Sequence, residues 1–211
     1  IQASTGIGKT MATVFPAVKA IADGHADRIF FLTARNTGQA SAITALNRLQ
    51  DDGLRLKRVC LTAKDRICFC PEATCNPEAC EFAKGHFDRL PAAVEAAFEH
   101  DSLTRETIEA VARSHRVCPF EFSLELSRWA DCIIADYNYA FDPRVYLKRF
   151  FDDELGAYVF LVDEAHNLVD RSREMFSAQL SKDAFLQLRR AIKTHLPAVY
   201  RAAGKINTWM L

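Results

Sequence analysis

Neither sign of charge predominates in this chain: 27 Lys and Arg stand against 27 Asp and Glu among 211 residues. The molecule as a whole has no bulk attraction for a polyanion, so any nucleic-acid surface must come from local separation of charge. Long apolar runs are also missing. The longest are stretches such as Tyr158 to Val162, far short of the roughly 20 residues that span a bilayer, and a membrane-spanning reading fails. Glycine and proline are sparse, at 8 and 7 residues, which excludes a collagen-like chain, and no internal repeat or low-complexity tract is present. The first residue is Ile rather than Met, and no basic stretch followed by an apolar one precedes the first motif. No secretory signal is visible, and a cytoplasmic location is the expectation. What is plentiful is apolar: 49% of residues are hydrophobic and 26% charged, which excludes disorder and suffices for one or two domains with a core.

Charge balance holds only in sum. Residues 1–63 carry a net +4, 64–121 a net −4, 122–170 a net −6 and 171–211 a net +6, a block pattern that suggests separate modules. Arg28 to Thr33, Cys132 to Ala135 and Tyr158 to Val162 are short, nearly continuous apolar runs bounded by polar residues. That is the pattern of parallel strands covered on both faces. Helix-like stretches lie between them, including Lys9 to Ala22 and Gly38 to Leu49. Strands alternating with helices predict an α/β parallel sheet, whose ligands bind beyond the carboxyl ends of its strands. From about Lys64 to Glu121 the pattern changes, with six of the seven cysteines falling between Cys60 and Cys118 and prolines at 71, 77, 91 and 119. This stretch reads as an inserted module. The segment from Ser181 to Ala203 is helix-like and basic, with Lys182, Arg189, Arg190 and Lys193; a solvated helix face explains those charges almost as well as a binding role.

Ala3-Ser4-Thr5-Gly6-Ile7-Gly8-Lys9-Thr10 opens a helix-like stretch and matches the phosphate-loop pattern except that Ala3 replaces the first glycine. Gly6 and Gly8 let backbone amides turn inward around phosphate oxygens. The helix that follows offers its positive N-terminus, Lys9 a point charge for the β- and γ-phosphates, and Thr10 a hydroxyl for magnesium. For Gly-x-Gly-Lys-Thr alone, a glycine-containing turn ahead of a helix is the plain alternative. It weakens once Asp163-Glu164-Ala165-His166 is found directly after the apolar run ending at Val162, where a buried strand delivers carboxylates to the sheet edge. Asp163 then holds magnesium, directly or through water, and Glu164 positions the water that attacks the γ-phosphate. His166 completes the acidic box as a catalytic candidate, although a lone histidine is more often structural. The two motifs together predict nucleotide hydrolysis.

Seven cysteines without a secretory context point to metal or redox chemistry rather than disulfides. Cys68, Cys75, Cys80 and Cys118 are separated by six, four and thirty-seven residues. Four thiolates hold either zinc or an iron–sulfur cluster. Zinc sites favour Cys-x₂₋₄-Cys pairs, and only Cys75 and Cys80 meet that spacing. Pro119 after Cys118 is a weak cue toward a ferredoxin-type cluster. Cys70 lies close enough to compete with Cys68, so spacing does not select the ligand set. Cys60 and Cys132 sit in or beside apolar strand-like segments and are expected to be buried structural thiols.

In the order of these motifs the chain resembles the iron–sulfur DNA helicases of the XPD and DinG family, within helicase superfamily 2. The resemblance rests on Ala3 to Thr10 as motif I, Phe31 to Asn36 as motif Ia, Ile67-Cys68 and Cys118-Pro119-Phe120 bracketing an insertion, Asp136 to Pro143, and Asp163 to Asn167 as motif II. The segment Asp136-Tyr137-Asn138-Tyr139 and Asn167 are closer to the XPD branch. The resemblance implies a RecA-like parallel sheet flanked by helices, carrying a mainly helical cluster insertion and the start of a helical arch domain. Its divisions fall at 1–63 and 122–171 for the motor domain, 64–121 for the insertion and 172–211 for the arch. It implies ATP and Mg²⁺ as cofactors and a 4Fe–4S cluster on Cys68, Cys75, Cys80 and Cys118, with Cys70 outside the ligand set. Its partners are single-stranded DNA and single-strand/duplex junctions, engaged by a monomeric motor moving 5′ to 3′. Thr33 and Arg35 are expected to touch the DNA backbone. Lys64 and Arg66, at the entry to the insertion, are candidate phosphate contacts, and Tyr137, Tyr139 or Phe141 candidate stacking rings, although an aromatic at the end of a buried strand is more often core. The same resemblance places an adenine-recognising segment before Ile1 and a second motor domain with an arginine finger after Leu211. The chain is therefore expected to be a fragment that binds nucleotide weakly and hydrolyses it poorly, since such an arginine is worth about 10³–10⁵ in rate. Two other readings compete: a phosphate-loop ATPase switch or assembly factor with a structural zinc module, and a non-enzymatic nucleic-acid-binding module whose nucleotide site is degenerate.

Overall fold

The computed structural model describes residues 8–152, 156–179 and 181–209. Of the phosphate loop, Ala3, Ser4, Thr5, Gly6 and Ile7 lie outside the described residues, whereas Gly8, Lys9 and Thr10 lie within them. The elements run α1 (Lys9–Ala22), β1 (Arg28–Leu32), α2 (Asn36–Asp51), β2 (Arg58–Cys60), α3 (Lys64–Ile67), α4 (His86–Ala97), β3 (Ser102–Leu103), α5 (Arg105–His115), α6 (Pro119–Leu126), β4 (Cys132–Ala135), α7 (Asn138–Phe141), α8 (Lys148–Phe151), β5 (Tyr158–Val162), α9 (Leu168–Met175), α10 (Lys182–Ala191) and α11 (Pro197–Trp209). Three of the five strands among the described residues are the three apolar runs. They pair side by side, every pairing is parallel, and the order across the sheet is β3-β2-β4-β1-β5. Leu32 faces Ala135 on one side and Val162 on the other, so these strands end level and everything that follows them emerges along one edge.

Strand alternation sorts the core into two layers. Ile29 and Phe31 of β1, with Cys60, Cys132 and Ile134, pack against Val14, Ala17 and Val18 of α1 and Ala42 and Leu46 of α2. Phe30 points to the opposite face and meets the rings of Phe150, Phe151, Tyr158 and Phe160 at centroid distances of 5.2–5.5 Å. At 1% exposure, Phe30 contributes about 1.5–3 kcal/mol through burial alone. Cys60 and Cys132 are buried, as their apolar neighbourhoods predict, and burial pushes their thiols up to about 11 and about 12.

Three expectations need correction. β5 is not covered on both faces: among the described residues it is the outermost strand of the sheet, and Phe160 is 42% exposed. β2 and β3 are too short to stand out as apolar runs, and β3 comes from within the stretch read as an insertion, pairing Ser102 with Arg58 and Leu103 with Val59. The basic helix-like segment is two helices, α10 and α11. Proline has no amide hydrogen and clashes with the preceding turn, so Pro197 begins a helix instead of continuing one. The chain divides after Val169 into two compact units. In the second, α10 packs on α11 and the Arg189 guanidinium lies 4.5 Å from the centre of the Tyr200 ring. Among the described residues no helix is long and apolar enough to cross a membrane.

Candidate functional site

Because the strands end level, the residues after them gather along one edge, where two clefts open in the first unit. One, of about 610 Å³, is lined by Gly8, Lys9 and Thr10 at the start of α1, by Arg35, Thr37 and Gly38 at the start of α2, and by Asp163 and Glu164 after β5. Gly8 has φ +82°, a left-handed turn that a Cβ strains. It turns the chain so that the 14-residue helix α1 presents its first amides, the positive end of its dipole, at this cleft. Motif I, as far as it is described, and the acidic box therefore meet, which is the central expectation from sequence.

The acidic box is held by its backbone. The Asp163 amide donates to the Leu32 carbonyl at 2.8 Å, extending the sheet by one residue. Glu164 adopts φ 48°, ψ 46°, a left-handed conformation that costs a non-glycine residue about 1–3 kcal/mol and persists only where its surroundings impose it. Here they do. The Tyr137 hydroxyl donates to the Asp163 carbonyl and lies 3.3 Å from the Glu164 carbonyl, which also accepts from Asn167 Nδ2 at 3.1 Å. Tyr137 has no exposed surface, and burial, with the charge of Asp163, raises its pKa, so the phenol stays a donor. Its ring is core, not a stacking platform. Sequence reading missed this role, although a tyrosine one residue past the Asp136 that ends a buried strand was the available signal. His166 Nδ1 lies 3.3 Å from Glu164 Oε2, both side chains being exposed (71% and 44%), an arrangement worth little as an ion pair.

The second cleft, of about 650 Å³, is lined by Arg35, Lys64, Arg66 and Arg105 together with Asp65, Glu106, Asp136, Asn138 and Tyr139. Arg35, Lys64 and Arg66 are exposed, as phosphate contacts must be. Arg105 was not singled out from sequence; it comes from α5, and its guanidinium donates to the Arg66 carbonyl at 2.6 Å and to Glu109. Two expectations fail here. Tyr139 is only 6% exposed and its hydroxyl donates to the Thr62 carbonyl at 3.3 Å; burial pushes the phenol up to about 12. A ring enclosed in this way cannot stack on a base. Thr33 lines the second cleft but is only 2% exposed, and its hydroxyl donates to Asp163 Oδ2 at 3.3 Å, so its side chain is engaged by the acidic box of the first cleft and little of it is open to a DNA backbone.

Five thiols lie near one another around the 68–85 stretch and the start of α6. Residues 68–85 contain turns and bends without helix or strand. Lys64 bonds the Cys75 thiol and lies within electrostatic reach of Cys118 and Cys68, which together hold its ammonium above the ordinary lysine pKa. Cys70 bonds Cys80 and lies near Cys68. Cys118 precedes α6 and accepts from the amides of Phe120 and Glu121, which pull its thiol down against the larger upward effect of burial. The Cys118 amide donates to Nδ1 of His86 at 3.2 Å, and burial depresses the His86 pKa, leaving the ring neutral and able to accept. His86 is a second residue that sequence reading passed over. All seven cysteines are free. Among the described residues no three His, Cys, Asp or Glu side chains converge closely enough to hold a metal ion, so the thiols share a neighbourhood without forming a closed site.

Comparison with known proteins adds to this geometry. The DEAD_2 family profile matches residues 39–185. Human regulator of telomere elongation helicase 1 is 25% identical over 150 residues, covering 64% of this chain and 12% of that protein. The Drosophila melanogaster homolog of that protein is 31% identical over 119 residues, 53% of this chain and 12% of its own. The chicken Fanconi anemia group J protein homolog is 31% identical over 77 residues, 36% and 6%. Two solved structures share the fold: an XPD helicase (TM-score 0.62, 17% identity, 99% of this chain and 36% of that one) and a truncated XPD (0.63, 21%, 98% and 58%). The aligned part spans about an eighth or less of the curated relatives' length.

Proposed function

Since the chain belongs to the DEAD_2 family, we propose that it is the first motor segment of an ATP-dependent DNA helicase that moves 5′ to 3′ on single-stranded DNA as a monomer and opens duplex at junctions, in DNA repair or related DNA metabolism. The observation that carries this reading is the meeting of Lys9 and Thr10 with Asp163 and Glu164 around one cleft. There the first amides of α1 and the Lys9 ammonium hold the β- and γ-phosphates. Glu164, fixed by Tyr137 and Asn167, orients and polarises the attacking water. Thr10 and Asp163 suit a hard cation, being a hydroxyl and a carboxylate bordering the same space. They would hold magnesium, which when bound would supply positive charge against the negative charge developing on the transferred phosphoryl group. Arg35, Lys64, Arg66 and Arg105 hold the phosphates of the single strand in the second cleft.

The sulfur donors suit a thiolate-bound metal centre. They are reduced and gathered, with Lys64 beside Cys75 and two amides donating to Cys118. Cys68, Cys75, Cys80 and Cys118 would hold a 4Fe–4S cluster, which when bound cross-links the 68–85 loop to the start of α6. Metal analysis of anaerobically purified intact protein tests this: about four irons per chain are expected, and one zinc without iron would favour a structural zinc module. Helicase function is tested by ATP hydrolysis with and without single-stranded DNA; an intact protein that hydrolyses no ATP in the presence of DNA overturns the proposal.

A further inference from the structure

The hydroxyl of Thr33 has a function that its place after β1 does not by itself reveal. It lies between two partners. The Arg35 amide donates to Thr33 Oγ1 at 3.4 Å, and Thr33 Oγ1 lies 3.3 Å from Asp163 Oδ2 and 3.4 Å from the Arg35 carbonyl. The hydroxyl has one proton to give. The Arg35 carbonyl already accepts from the amides of Gly38 and Gln39, at 3.0 and 3.2 Å, so the nearer Asp163 carboxylate is the better acceptor. The result is a polarised chain from the Arg35 amide through the Thr33 hydroxyl to Asp163. At 2% exposure Thr33 has no competing water, and χ1 of a β-branched residue is stiff.

Gly38 makes the arrangement possible. It lies in the first turn of α2, where glycine destabilises a helix by about 1 kcal/mol relative to alanine. A Cβ at this position would sit 2.1 Å from Thr33 Oγ1 and 2.5 Å from Asp163 Oδ2. The bare Cα lets the helix press directly on the hydrogen-bonded pair. Arg35, immediately before this helix, borders both clefts, so a displacement of its backbone by a ligand in the second cleft reaches Asp163 through a single hydroxyl.

We propose that Thr33 is a positioning residue that orients the Asp163 carboxylate for the divalent cation and makes that orientation depend on occupancy of the second cleft. The inference deepens the proposed function and rests on its assignment of Asp163. It is tested in the intact protein with Thr33→Val, which keeps the shape and removes the hydroxyl, and Thr33→Ser, which keeps the hydroxyl. One readout is the Mg²⁺ concentration that half-saturates binding of a fluorescent non-hydrolysable ATP analogue; the other is the ratio of ATP hydrolysis with and without single-stranded DNA. Thr33→Val should raise half-saturating Mg²⁺ about tenfold, as loss of an outer-shell partner does, while Thr33→Ser stays within about twofold of wild type. The DNA stimulation ratio should fall in the valine variant and recover in the serine variant. Wild-type Mg²⁺ dependence in Thr33→Val overturns the proposal, and so does a serine variant as impaired as the valine one, because packing alone would then explain both. If Thr33→Val does not fold, Gly38→Ala carries the test: its methyl must part the pair, so it should raise half-saturating Mg²⁺, and an unchanged value counts against Thr33. If the wild-type protein binds no nucleotide with Mg²⁺, the proposed function falls instead, and a failure of the two readings is told apart on that measurement.

Discussion

At the carboxyl edge of the sheet, Thr33, Asp136 and Asp163 each follow directly on a strand whose neighbours fix it on at least one side. Cys68, Cys70, Cys75 and Cys80 instead sit in a stretch with turns and bends only, tied to the fold by contacts such as Lys64 to Cys75 and His86 to the Cys118 amide. The first region brings its chemical groups to two clefts along one sheet edge through the geometry of the strands. The second brings five thiols near one another and leaves the last approach unmade among the described residues. Strand-borne groups are preorganised because moving them breaks the ladder, whereas loop-borne thiols would depend on a bound metal for their final arrangement.

That difference is sharpest when each region is disabled separately. Lys9→Ala in the intact protein should lower DNA-stimulated ATP hydrolysis at least about 100-fold, the scale of losing one charged donor to a transferring phosphoryl group. Affinity for single-stranded DNA, measured by fluorescence anisotropy, should stay close to wild type, because Lys9 does not border the second cleft. Equal loss of both activities would mean that the two clefts are not separable. Cys118→Ser is the complementary lesion. It should lose the proposed cluster and speed amide hydrogen exchange in residues 68–85 at least about tenfold, while β1, β4 and β5 keep their protection. Cys70→Ser should do neither. Spread of the exchange increase into these strands would show that the sheet also depends on the proposed cluster.

A smaller effect is expected where backbone strain is the quantity at stake. Tyr137→Phe keeps the ring in its buried place and removes the hydroxyl that holds the Asp163 and Glu164 carbonyls. Leaving the Asp163 carbonyl without this donor costs about 1–3 kcal/mol, so kcat for ATP hydrolysis should fall about tenfold with KM little changed if Glu164 acts on water as proposed. A fall in KM affinity with unchanged kcat would place Tyr137 in ground-state binding instead. Asn167→Ala should act in the same direction and more weakly, since the tyrosine remains.

Much of the sheet edge was legible in the sequence because its signals are local. A continuous apolar run followed by Asp-Glu, or glycines followed by Lys-Thr, carries both the element and its chemistry in consecutive residues. The short strands were not legible, since three residues at Arg58–Cys60 and two at Ser102–Leu103 show no period. Arg58 shows why. Its guanidinium is 2% exposed and is satisfied by Asn47, Gln50 and Ser102, neutral partners from two other elements that no local pattern reveals. Desolvation depresses its pKa, yet the group stays within a strand that reads as polar at that position. The same reason hid Tyr137 and His86, whose partners are main-chain groups distant in sequence. It also reversed Thr33 and Tyr139: motif position marks a residue as close to the clefts, while burial decides whether its side chain faces ligand or protein.

Tyr139 and Arg66 test that last distinction at the small end of the scale. Both border the second cleft, but the tyrosine is enclosed and the arginine exposed. Tyr139→Phe removes one long hydrogen bond to the Thr62 carbonyl, which contributes about 0.5–1.5 kcal/mol to stability, and leaves the aromatic ring in place. Thermal melting should show a drop of a few degrees at most, and single-stranded DNA affinity should change less than about twofold, because no base reaches the ring. Arg66→Ala should leave the melting temperature alone. It should weaken DNA binding at every sequence and flatten the plot of log affinity against log salt by about 0.7, one phosphate contact's worth on a single strand. If Tyr139→Phe weakens DNA binding as much as Arg66→Ala with no change in melting, the hydroxyl contacts the nucleic acid, and the enclosed position of the ring belongs to the free protein alone.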